Sequence, residues 1–406
     1  MSLRPCFRVL LSLSIGMVFS GCATKQSSNE QTPPESKDAV APTGAGAATD
    51  DMSAQTLAQG QEIFRFDTFG NEPFWSDTLR MHEVIEKSVD PTTALKVGLK
   101  VDVDALPPGI LDQVDLKSPA TTVALLKMNA VVGLKAEVSA DNHITRVGVT
   151  CALCHSTVDN SVMPGIGHRQ DGWPNRDLNV GAIIALSPAV SAEQKAVYNS
   201  WGPGKYDPRY NMDGKNTPLT LPPAYGLANV TNETYTAEGP ISYWNAYVAV
   251  TQMHGQGNFS DSRLGIDVKH SPDLVGPKLP ALRSYQHSLA APAPPAGTFD
   301  TAAAGRGKAV FDQACVSCHV GANGTDNNQG KLHPAGDTGM DGAYAMRTAN
   351  RAYRTTPLRG LWQHPPYFHD GKAATLDDVV SHYNGVLKLN LSNPQQSDLV
   401  EYLKSL

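Results

Sequence analysis

The sequence predicts a mainly α fold with long loops, divided into two domains that each carry one site for a covalently held cofactor. Three observations predict it. The word C-x-x-C-H occurs twice, as Cys151–Cys154–His155 and as Cys315–Cys318–His319. A similar helix opening precedes each, in "TLAQGQEIFRF" and "TAAAGRGKAVFDQACVSCH", and the shared Gly-x-x-apolar-Phe element turns Phe64 and Phe311 toward a core. Strand-like alternation is scarce along the rest of the chain.

The 406 residues are 41% hydrophobic and 18% charged, enough for two cores of ordinary size. A net charge of −6 and the lack of any dense Lys/Arg run give no support for nucleic-acid binding. At the N-terminus, Arg4 and Arg8 precede an apolar run from Val9 to Phe19, too short to span a bilayer as a final structure. The run ends in "FSGC", and Cys22 resembles the lipobox cysteine of bacterial lipoproteins, with Phe19 where that pattern prefers Leu. The alternative is an ordinary signal peptide cut nearby. The resemblance implies a signal segment over 1–21 and lipidation at Cys22. It also implies an exported protein anchored on the periplasmic side of a bacterial membrane or at the cell surface. Residues 22–54 turn to Ser, Gln, Thr, Pro, Ala and Gly, a composition that buries too little surface to fold, and read as a tether.

The first domain is read over 55–289, with a long insertion between its opening helix and Cys151. A Pro/Ala-rich connector at 290–300 separates it from a second domain over 301–406. In the second domain Thr375 caps a helix with Asp377 and Asp378 in its acidic first turn. Ser392 or Asn393 caps the last helix, with Pro394 in its first turn and Leu399, Val400 and Leu403 at helical spacing.

Of six cysteines, Cys6 leaves with the signal segment and Cys22 takes the lipid, so the remaining four all fall in the two C-x-x-C-H words. That word is the attachment signature of c-type haem: two thiols form thioethers and the adjacent histidine reaches the iron. A disulfide, a redox C-x-x-C and half a zinc site are the competing chemistries for a single copy. Two copies that use every remaining cysteine favour two covalent haems, with Cys151, Cys154, Cys315 and Cys318 as attachment points and His155 and His319 as proximal iron ligands.

The ordered set "YRTTPLRGLWQHPPYFHDGKAATLDDVVSHY" and the terminal "DLVEYLKSL" resemble the dihaem cytochrome c peroxidase superfamily. "CALCHSTVD" and "GIGHRQDGWPNRDLNVGAI" look more like its branch containing the rubber oxygenases. The resemblance implies two cytochrome c-like domains and a peroxidase-like oxidoreductase. The second haem would pass electrons and the first would activate peroxide or O₂, with a redox partner protein such as a small cytochrome or cupredoxin. A non-catalytic dihaem electron-transfer cytochrome is the rival, and a rubber-oxygenase-like dioxygenase stands further off.

The resemblance also locates ligands. The methionine that ordinarily ligates the second haem is absent, and the matching position falls at Tyr383, with His382 beside it. These two stay open, with Met340 and Met346 as outside candidates. His168 stands near where such peroxidases carry a removable distal histidine, or else is a loop residue. His168, Arg169 and Arg176 all belong to the first haem in this reading, with Arg169 and Arg176 as candidates for its propionate contacts. Trp173, Trp201 and Trp244 are candidates for an aromatic bridge between the haems. Asn175–Asn179 could supply an oxygen to a calcium ion between domains. His369 belongs to the family turn "PYFHDG", and His364 reads as a surface or loop residue. No residue is assigned a catalytic role.

Overall fold

The computed structural model describes residues 50–406, and the signal segment, Cys22 and nearly all of the tether lie outside them. The opening helix, Ala54–Phe66, is capped by Ser53, whose Oγ accepts from the Thr56 amide. It packs on the helix Leu279–Ser288 along a face made of Gly60, Ile63 and Phe64. Gly60 is needed there, because a Cβ would overlap the Ala281 carbonyl of the facing helix. The second opening helix, Thr301–Ala314, repeats the arrangement against the closing helix Asn393–Lys404: a Cβ on Gly307 would overlap the Asp398 carbonyl. The Gly-x-x-apolar-Phe element is therefore a helix-crossing device. Its glycine lets the backbones touch, and Phe64 and Phe311 are buried as expected.

The apolar interior has two main clusters. One runs from Ile63 to Tyr285, the other from Val310 to Leu403. A third, small cluster joins Leu219 to Tyr344, Ala345 and Tyr353. No helix or strand occupies the connector between Ser288 and Thr301, which runs along the C-terminal part, where Trp362 Nε1 donates to Pro292 O at 3.1 Å. Arg347 ties the halves further, pairing with Asp207 and Asp213 at 2.8 Å each.

Helices dominate, but the described residues also form five two-stranded sheets. The longest is the antiparallel hairpin Leu134–Val138 with Ile144–Val149, bulged at Glu137/Val138. Its second strand runs straight into Cys151. Two π-helical turns, Pro73–Thr78 and Val248–Gln252, lie in the first half. Among the described residues no helix is long and apolar enough to cross a membrane.

Candidate functional site

The first C-x-x-C-H word is held as a single helical turn, Ala152–His155, at the end of the hairpin. Thr150 Oγ1 donates to Arg65 O at 3.0 Å and fixes this turn to the opening helix. Gly172 N and Asn175 N donate to His155 O and Cys154 O, at 2.8 and 2.9 Å, laying the 172–175 segment along it. The His155 Nδ1–H donates to Pro222 O at 3.0 Å. A carbonyl can only accept, so Nδ1 carries the proton and Nε2 keeps its lone pair. Burial pushes the His155 pKa down to about 4, which holds the ring neutral. Beside it lies a cavity of about 380 Å³, lined by Cys151, Cys154 and His155 together with Trp75, Trp244 and Met253.

The second word follows the helix Thr301–Ala314, whose C-cap is Cys315 itself. His319 N donates to Cys315 O, and the His319 Nδ1–H donates to Gly324 O at 2.9 Å, giving the same tautomer as at the first site. Burial lowers the His319 pKa as well. Cys315, Cys318 and His319 line a second cavity, of about 280 Å³.

Both sites fit a covalently attached haem. Burial pushes the Cys151 and Cys154 thiols up to about 12 and Cys315 up to about 11, so they stay protonated at neutral pH. Two thiols beside an imidazole whose Nε2 is free are the donor set that thioether attachment and proximal iron ligation require. The second cavity is also lined by Arg176, Arg354 and Arg359. Arg176 Nη2 donates to His364 O at 3.0 Å, while its Nε and Nη1 are buried without a partner. An open guanidinium fork in an apolar cavity is what a propionate carboxylate would complete.

The structure sorts the expected ligands. Tyr383 faces the second cavity from the helix Leu376–Val386, beside Val379 and Val380, and burial pushes its phenol up to about 12. His382, one residue earlier, turns away, and its Nε2 bonds Thr338 O at 2.8 Å. Met340 also lines this cavity, whereas Met346 is exposed. His369 is buried against Tyr353, with its Nε2 3.0 Å from the phenol oxygen, and belongs to the turn. His364, expected in a surface loop, is instead buried and lines the second cavity, because "HPPYFHDG" folds inward under Arg176.

At the first site two expected residues stay outside the cavity. His168 is exposed, with its Nδ1 2.8 Å from Asp104 Oδ1. Arg169 is buried against Asp102 at 2.9 Å and over the Phe66 ring. Arg176 was expected near the first haem; the bond from Asn175 N to Cys154 O carries the chain past that site, and the guanidinium opens into the second. In the segment expected to bind calcium, Asn175 Oδ1 is buried without a partner, whereas Asn179 Oδ1 caps the Ala182 amide.

The two cavities share a wall. Pro222, Pro223, Leu227, Glu233 and Tyr235 line both. None of the three tryptophans does: Trp201 and Trp244 line the first only, and Trp173 lines neither but packs edge-on against Trp362 and Tyr225. The aromatic between the sites is Tyr235, its hydroxyl 2.8 Å from Thr220 Oγ1. Glu233 is nearly inaccessible, and burial raises its pKa. Its Oε1 lies 3.4 Å from His287 Nε2 and its Oε2 has no partner. Sequence reasoning missed Tyr235, Glu233 and His254, since no motif or spacing marks them, and passed over Arg354 although it stands in the quoted "YRTTPLRG" segment.

Comparison with known proteins finds relatives over part of the chain. Residues 304–406 match the Cytochrome c family. The methylamine utilization protein MauG of Methylophilus methylotrophus is 30% identical over 154 residues, which cover 31% of this chain and 45% of that protein. The cytochrome-c peroxidase IdrP2 of Pseudomonas sp. (strain SCT) is 32% identical over 149 residues, covering 26% and 40%. The chain thus spans less than half the length of these curated relatives. A solved MauG-like protein associated with microbial copper homeostasis is 18% identical. It covers 48% of this chain and 75% of its own, at a TM-score of 0.34, too slight a likeness to carry an argument.

Proposed function

We propose, from the premise that the chain belongs to the dihaem cytochrome c peroxidase superfamily, as its cytochrome c domain and its relatives support, that it is a dihaem oxidoreductase with unlike sites. Bound in the two cavities, haem would supply electron transfer at the second site and activation of peroxide or O₂ at the first. The observation that carries the reading is the matched pair of histidines. His155 and His319 each give their Nδ1 proton to a backbone carbonyl and leave Nε2 free beside two thiols. The sites differ in what else faces them. Tyr383 and Met340 offer a further donor at the second, where the open fork of Arg176 would hold a negative group. At the first, no methionine but Met253 lines the cavity, and the expected His168 stands outside it, which leaves room for a small oxidant. Tyr235, in the shared wall, is the side chain through which an electron would pass from one site to the other.

Low-temperature electron paramagnetic resonance of the oxidised, haem-loaded protein tests this. Two haems per chain are expected, one high-spin and one low-spin, with the low-spin signal altered by Tyr383→Phe and untouched by His382→Ala. Peroxide added to the reduced protein should be consumed. Two low-spin haems with no peroxide turnover would leave the plain electron-transfer cytochrome standing.

A further inference from the structure

The first cavity holds one titratable side chain that nothing else in the fold uses. Of the histidines and carboxylates lining it, His155 is bonded to Pro222 O, Asp207 to Arg347, and Glu233 is paired with His287. His254 makes neither a side-chain hydrogen bond nor an ion pair, whereas Glu233, whose Oε2 is unpartnered, faces His287 through Oε1 at 3.4 Å. Its ring is stacked on Phe74, with centroids 3.6 Å apart and planes 18° from parallel. That contact fixes the ring's plane while leaving both nitrogens unbonded.

The backbone around it is unusual in a way that points to the same place. His254 has φ 62°, a left-handed conformation that a non-glycine residue adopts at some cost. It comes two residues after the π-helical turn Val248–Gln252, and its stacking partner sits on the other π-helical turn, Pro73–Thr78. Such turns gather at functional sites, because the extra residue re-aims a side chain. The two turns are also joined: Trp75 Nε1 donates to Met253 O at 3.1 Å, and Gly255 N and Gln256 N bond Ala249 O and Phe69 O. The two turns are thus tied together where Phe74 and His254 stack, and both residues line the cavity.

We propose that His254 is the acid–base group of the first cavity, taking the proton from a small protic ligand of the peroxide class as that ligand binds there. This rests on the reading of the first site as open. For hydrogen cyanide the balance is simple: the H–C bond breaks, the anion enters the site, and the proton moves to an imidazole nitrogen of His254. Peroxide gives up an O–H proton in the same way. The ring is suited to accept. Burial alone lowers its pKa, with no charged group contributing, so it is neutral at pH 7. Asp207 is held by Arg347, and Glu233 sits in the wall shared with the second cavity, facing His287.

The test is stopped-flow cyanide association with the haem-loaded protein, wild type against His254→Asn. Asparagine tolerates the left-handed backbone, and an unchanged second-haem spectrum certifies the fold. The association rate at neutral pH should fall by about 10²-fold, the scale of a lost general base, while the first haem stays high-spin. Equal rates in the two proteins would overturn the inference and leave the open-site reading intact. A first haem that is low-spin in wild type and high-spin in His254→Asn would make His254 an iron ligand and also overturn it. A wild-type first haem that stays six-coordinate and refuses cyanide in both proteins defeats the open-site reading, and this inference with it.

Discussion

His364 shows how a single buried ring can set the pH response of the second site. It is enclosed, its Nδ1 has no partner, and burial, with the Arg176 charge nearby, lowers its pKa to about 4. In the unfolded chain the same ring titrates near the ordinary value of about 6.5. Between these values the unfolded state binds a proton that the folded state refuses, so stability falls as pH drops from about 6.5 toward 4. Denaturant melts of the haem-loaded protein at pH 7 and pH 5 should show this loss, and His364→Gln should reduce it. An identical pH slope in the variant would refute the assignment. At this scale the two C-x-x-C-H words were readable as candidate attachment sites, because their signal is local. The burial of His364 was not, since it depends on Arg176, which lies far away in sequence.

At the scale of elements, the helix crossings carry the sharpest expectation. Gly307→Ala would drive a methyl into the Asp398 carbonyl and force apart the helices Thr301–Ala314 and Asn393–Lys404. Overpacking of this kind costs about 1–3 kcal/mol, against a gain of up to about 1 kcal/mol from helix propensity. A lower thermal midpoint is expected for Gly307→Ala, whereas Gly305→Ala, which meets nothing within 4 Å, should raise it slightly. The same midpoint shift in both would remove the crossing argument. Caps and acidic first turns were readable here because they are short-range signals. Thr375 forms a capping box with Asp378, and Ser392 N–H donates to Gln395 Oε1 at 2.9 Å. The hairpin Leu134–Val149 escaped notice, because on its first strand inward and outward positions are nearly equally covered, which blurs the period-two signal.

At the scale of the whole molecule, the seam between the halves carries a buried ion pair beside its small apolar cluster. The Arg347 side chain is 2% exposed and bridges Asp207, in the wall of the first cavity, to the surface carboxylate of Asp213. Removing one partner of such a pair leaves a charge stranded, at a cost of about 3–5 kcal/mol. Arg347→Ala should therefore lower the denaturation midpoint clearly, while Arg306→Ala, whose partner Asp398 it meets at the surface, should change it little. Equal effects would show that the seam contributes no more than a surface pair. No sequence pattern announces this seam, because Asp207 and Arg347 stand 140 residues apart in the chain.

The shared wall has a consequence for how the molecule can be divided. Residues 304–406 match a family in their own right, and the connector at 290–300 invites a cut. Yet the second cavity takes Arg176 and the stretch from Pro222 to Tyr235 from the other side of that cut. The C-terminal piece by itself would carry its cysteines, its histidine and its closing helix, but only part of the enclosure around them. The smallest complete redox centre is larger than the recognisable module, so inheritance and insulation follow different boundaries in this chain.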